Sequence, residues 1–134
     1  LLRQRDNNGL YRVGEHLAKL EYPMSLQSID HAADRFEALY DTYLKDSGSR
    51  VYFSLIPDKN YFMAAPNGYP SIDYEAFAGA LKARLTNMQY IDLFDLLELE
   101  DYYRTDAHWR QEKIQDVAAR LADAMGATLT GSYT

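Results

Sequence analysis

Apolar and polar positions change period several times along this chain. Leu10-Tyr11-Arg12-Val13 and Leu17-Ala18-Lys19-Leu20 alternate on either side of Gly14-Glu15-His16, after a turn signal at Asn7-Asn8-Gly9. Two-residue alternation around a turn predicts a small hairpin, with a short helix over 15–20 as its rival. After Pro23, Ser25 or Ser28 can cap a helix. Its apolar positions Ile29, Ala32, Ala33, Phe36, Leu39, Tyr40 and Tyr43 recur at the i, i+3, i+4 spacing that lines one face, and Gly48 ends it.

The run Val51 to Ile56, rich in β-formers and closed by Pro57, reads as a mostly buried strand. The stretch from Asn60 to Pro70 reads as a loop, because Pro66, Asn67, Gly68 and Pro70 crowd it. Ser71 then caps a second helix through about Leu85, and Tyr90 to Phe94 forms a second strand. Residues 96–103 are ambiguous. Trp109 through Met125 reads as a third amphipathic helix with Ile114, Val117, Ala118 and Leu121 on one face, closed by Gly126. Helices alternating with well-separated strands imply parallel pairing through right-handed crossovers, hence a layered α/β fold. Ligand crevices of such sheets lie beyond the carboxyl ends of the strands. That rule singles out the segments Pro57-Asp58-Lys59-Asn60 and Asp106 to His108.

Composition narrows the function. The 134 residues, 47% of them hydrophobic, suit one domain with a real core. Fourteen basic against 20 acidic residues give a net charge of −6, and no segment gathers a basic patch, so nucleic acid is excluded as a partner. Without cysteine there is no disulfide, thiolate metal site or cysteine nucleophile. No apolar run approaches the roughly 18 residues that would span a membrane, and Leu1-Leu2-Arg3-Gln4 lacks both a signal-peptide pattern and an initiating Met. The chain is therefore expected to be a piece of a longer protein. Its 12 tyrosines, flat apolar rings with one polar tip, suit a sugar-lined cleft or the edges of a core.

The candidate chemistry lies in Tyr103-Arg104-Thr105-Asp106-Ala107-His108-Trp109. A carboxylate two residues from an imidazole in a non-helical stretch can hold its tautomer and stabilise the imidazolium formed on proton abstraction. His108 is then a general base and Asp106 its orienter. Two other readings stay open: Thr105 or Asp106 as the N-cap of the Trp109 helix, and a metal held by Asp106 and His108 with His16 or His31. His16 and His31 are otherwise expected on the surfaces of the hairpin and first helix. Trp109 either packs in the core or walls a cleft. Lys59, Tyr103 and Arg104 are candidate substrate contacts, the two cations for an anionic group.

The segment Tyr102 to Trp109 resembles the signature of the DHHW proteins, named for Asp-His-His-Trp, with Ala107 in place of the first His. The order before it is similar to that family too: an Asn-Gly-Leu-Tyr opening at Asn8 to Tyr11, a helix, a strand ending at Pro57, and Ile91-Asp92-Leu93. Thr105 to Trp109 also resembles the corresponding group of alginate O-acetyltransferases and SGNH-hydrolase-like proteins. The resemblance implies a three-layer α/β sandwich with a mainly parallel sheet, of which this chain is the N-terminal portion. It implies an extracytoplasmic bacterial esterase or O-acyltransferase acting on a cell-surface polysaccharide, with no cofactor and no metal. Asp106 would orient His108, and His108 would activate a serine lying well beyond the third helix; Ser132, in Gly131-Ser132-Tyr133, looks structural. The alternative it leaves open is a non-catalytic glycan-binding module of the cell envelope.

Overall fold

The structure, a computed structural model, describes residues 9–131. The turn signal at Asn7-Asn8 and the serine at 132 lie outside the described residues. The alternating pattern near the start does form a hairpin: β1 (Leu10–Val13) pairs antiparallel with β2 (His16–Lys19), Tyr11 opposite Ala18. Gly14, at φ 57°, makes the turn in a conformation that L side chains resist. Tyr11 and Ala18 share the inward face and are buried with Met63 and Ala64.

Helix α1 (Leu26–Leu39) begins at Ser25, whose Oγ accepts the Ser28 backbone N–H at 3.1 Å. Ile29 and Ala33 are its buried positions, packed against Leu81 and Leu85 of the next long helical segment. Phe36, Leu39 and Tyr43, on the expected apolar face, are largely exposed. A π-turn over Tyr40–Leu44 continues it, and Gly48 follows at φ 72°.

Two short strands, β3 (Tyr52–Phe53) and β4 (Gln89–Tyr90), pair in parallel, as the spacing of helices and strands implied. The expected longer strands over 51–56 and 90–94 shrink to these cores. The ladder is flanked only by Gln89 N donating to Val51 O (2.8 Å) and Ile91 N to Phe53 O (2.9 Å), and beyond it the two segments diverge to carry loops. Between them the expected loop over 60–70 is instead helix α2 (Lys59–Met63) and a 3₁₀ turn at Ala65–Asn67. Asp58 drives this, its Oδ1 accepting from Asn60 N (2.8 Å) and Tyr61 N (3.4 Å); Pro66 and Gly68 terminate the helical stretch rather than abolish it.

Helix α3 (Tyr74–Arg84) is capped by Asp73, whose Oδ1 accepts Ala76 N at 2.9 Å, and not by Ser71, whose hydroxyl donates to Ile72 O. Arg84 in its last turn meets three carboxylates of α1: Asp30 (3.1 Å), Asp34 (2.5 Å) and Glu37 (3.1 Å). Arg84→Ala should leave three like charges facing each other along α1. The expected result is a lower melting temperature, with the difference from wild type shrinking in 1 M salt, as a thermal scan at two salt concentrations will read.

The last helix, α4 (Gln115–Met125), starts well after Trp109, where the apolar periodicity placed its beginning. Trp109 is in an antiparallel bridge with Tyr102, and Arg110 N donates to Asp101 O at 2.6 Å, so the chain is extended there before a 3₁₀ turn at Gln111–Lys113. Val117 of α4 is buried with Ile91, Leu93 and Leu97, and Trp109 packs against the same cluster. Gly126, at φ 67°, closes the helix. The described residues are thus a mixed α/β arrangement of four α-helices and two small sheets. No helix among them is long and apolar enough to cross a membrane.

Candidate functional site

Residues 103–108 form a loop clamped at its base. The Tyr102–Trp109 bridge closes it, Tyr103 N donates to His108 O at 3.0 Å, and Leu17 N of β2 donates to Arg104 O at 2.7 Å. Beneath it lies Lys59, only 3% exposed, whose Nζ donates to the carbonyls of Tyr103 (2.8 Å), Arg104 (3.0 Å) and Asp106 (2.9 Å). Three donors on a tetrahedral ammonium meet three acceptors, so the cation is saturated by backbone. Burial pulls the Lys59 pKa below its ordinary value, with the Asp106 carboxylate opposing that shift. The expectation that Lys59 is an exposed substrate contact is therefore corrected. Its helix starts at the Asp58 cap and directs the side chain inward under the loop.

On this support Asp106 and His108 come together. Asp106 Oδ1 accepts the His108 backbone N–H at 2.7 Å and also bonds His108 Nδ1. Two bonds from one residue to one carboxylate follow from local geometry, an Asx-type turn that needs no helix. Neither Thr105 nor Asp106 caps α4, whose start at Gln115 is too distant, and the helix-cap reading is corrected. The His108 backbone N–H first and its ring second hold the Asp106 carboxyl below the usual carboxylate range. An ionised carboxylate on Nδ1 selects the tautomer with the proton on Nδ1, leaving the Nε2 lone pair as the basic site. The His108 side chain is 83% exposed, so Nε2 faces outward.

The other predicted residues fall around this pair. Tyr103 is exposed beside it. Arg104 is exposed and pairs through Nη1 with Glu15 Oε2 at 2.6 Å, so its charge is already matched by the hairpin turn. Trp109 is half-buried against the Ile91, Leu93 and Val117 cluster, a packing role. His31 lies exposed on α1 as expected, whereas His16 is buried. Its Nε2 is 3.7 Å from Glu100 Oε1, and its position opposite Val13 turns it inward. Among the described residues no group of three His, Asp or Glu side chains is placed to hold a metal ion. Nor does any serine hydroxyl among them bond His108: Ser25 and Ser28 bond each other, Ser47 donates to Leu44 O, and Ser71 to Ile72 O.

Concavities lie to either side of the Asp58-Lys59 step. One, of about 160 Å³, is lined by Asp58, Lys59, Asn60, Thr105, Asp106 and Ala107 among others, and His108 is not part of its wall. The larger, of about 610 Å³, lies at the carboxyl end of β4 and is lined by Tyr61, Tyr74, Tyr90, Asp92 and Phe94 with the start of α3. Sequence reading missed this cleft because three separate segments assemble it. One signal was available: Tyr90 and Asp92 stand two apart after a strand, which turns both to the same side.

Comparison with protein-family models, with curated proteins and with solved structures finds no match to this chain.

Proposed function

We propose that this chain carries the acid–base half of an SGNH-like, three-layer esterase or O-acyltransferase that acts on a cell-surface polysaccharide outside the cytoplasm. His108 is the base, Asp106 holds it in position, and the serine comes from outside the described residues. One observation carries the reading: the Asp106 carboxylate sits on His108 Nδ1 while Nε2 faces outward from a loop held by a buried lysine. An imidazole so fixed removes a proton from a hydroxyl at Nε2 and returns it to the leaving alcohol, and the carboxylate offsets the charge that forms in between. Tyr103, exposed next to the pair, is the side chain best placed to touch a bound sugar.

The test uses the protein together with the segment that supplies the serine, and p-nitrophenyl acetate as substrate, whose leaving group departs without protonation, so that the base alone is read. Wild type should release p-nitrophenol faster than His108→Ala by at least about a hundredfold, the low end of general-base contributions. Equal rates in the two would remove the enzymatic reading. A non-catalytic glycan-binding module would then take its place, which the separation of His108 from the larger cleft favours.

A further inference from the structure

The larger cleft has a composition that the dyad does not use. One wall is aromatic: Tyr61 meets both Tyr74 and Phe94 edge to face, with ring centroids 5.1 and 5.0 Å apart. Tyr74 is fixed from behind by its hydroxyl, which donates to Asp58 Oδ1 at 2.6 Å, so the wall is anchored to the capping residue of α2. Opposite stands Tyr90 with Lys82 Nζ 4.8 Å from its ring centroid. Burial first, and then Asp92 beside it, pushes the Tyr90 hydroxyl up to about 12, so at neutral pH it remains a donor.

The polar groups are unequal in sign. Asp73, Glu75 and Asp92 supply three carboxylates, and Lys82 is the one ammonium in the lining. Asp73 and Asp92 each commit one oxygen to a backbone N–H, that of Ala76 and of Phe94. Asp92 also accepts a hydrogen bond from the Tyr90 hydroxyl. A carboxylate can accept about four hydrogen bonds, so each retains acceptor capacity toward the cavity, and Glu75 adds a third group. Phosphates and uronic acids are repelled by this excess of negative charge. A ligand with hydroxyl donors, an apolar face for the rings and a cationic group is attracted. The volume, about 610 Å³, is in the range of small-ligand sites, and the carboxyl end of a parallel strand, here β4, is where α/β sheets bind their ligands.

We propose that this cleft, walled by Tyr61, Tyr74 and Phe94 and rimmed by Asp73, Glu75 and Asp92, is a binding site for an amino sugar bearing a free amine. The ring lies against the aromatic wall, the ammonium faces the carboxylates, and Lys82 donates to a hydroxyl at the open side. The site does not depend on the dyad being catalytic, and its test reads binding without turnover.

The probe is the β-1,4-linked trimer of glucosamine, titrated calorimetrically into the protein at mildly acidic pH beside its fully N-acetylated counterpart. Acetylation removes the charge and keeps the ring, so the acetylated trimer should bind at least about tenfold more weakly, and the difference should narrow at high salt. The double variant Glu75→Gln, Asp92→Asn should also lose roughly tenfold, since it deletes two charges and keeps an amide oxygen for the Phe94 N–H. Tyr61→Ala should weaken both trimers alike. Matching circular dichroism and melting of each variant separates lost binding from lost fold. Equal binding of the two trimers, no binding of either, or indifference to the double variant each overturns the proposal.

Discussion

Lys59→Met is expected to lower the melting temperature by roughly 10 °C, the largest stability effect of any single substitution near the site. Methionine matches the length of the lysine stem and donates no hydrogen bond. Three carbonyls lose their ammonium donor. That of Arg104 keeps the Leu17 N–H, whereas those of Tyr103 and Asp106 lose the bond that tied them to α2. Hydrogen bonds to a charged group are worth about 1.5–3 kcal/mol each, and removing the cost of burying an ammonium returns part of that. A net loss of about 3 kcal/mol remains, which for a domain of this size corresponds to the stated shift. A shift under about 2 °C in a thermal scan would show that water replaces the lysine without cost and that the loop is held by its backbone bridge alone.

Lys59 also bears on alkaline stability. Its folded pKa is depressed, so the folded state binds fewer protons than the unfolded chain in the window between the depressed value and the ordinary lysine value. The stabilising contribution of this titration is fully present above the ordinary value and is lost as pH falls through the depressed one. At neutral pH the protein carries the burial cost and offsets part of it through the three carbonyl bonds.

Asp106→Asn should reduce p-nitrophenyl acetate turnover by about 10³-fold. The carboxylate on Nδ1 fixes the tautomer that presents the Nε2 lone pair and offsets the charge that forms on the ring as the proton is taken. The Asp106 carboxyl is held below the carboxylate range by the His108 N–H and ring, so it is ionised at neutral pH. Its contribution to stability, correspondingly, is present above the ordinary aspartate value and is lost as pH falls through the depressed one. A merely structural aspartate would change the melting temperature and leave turnover where it was. Full activity in the variant would therefore discard the dyad as a catalytic unit.

The two substitutions act at different distances from the reacting atom, and together they separate support from chemistry. Lys59→Met should loosen the loop and lower activity with stability. Asp106→Asn, on an exposed side chain, should lower activity with little change in melting.

What this sequence determined by itself is whatever rests on neighbours in the chain. Alternation around Gly14 makes the hairpin, the i, i+3, i+4 rows make α1 and α4, and Asp106 reaches His108 across two residues because a short carboxylate in a turn meets the N–H two positions on. Where a tertiary contact competes with local preference, only the folded structure decided. Trp109 is extended and not helical because Tyr103 and Asp101 supply its neighbours' partners across the bridge; β3 and β4 are two residues long because their segments diverge beyond the ladder. Lys59 turns inward to three carbonyls some 45 residues away, and the aromatic cleft draws on α2, α3 and the end of β4. No local pattern encodes which carbonyl or ring will arrive from a distant segment, since that depends on how the packed elements are oriented; the burial of a charge and the shape of a cavity are properties of the assembled layers.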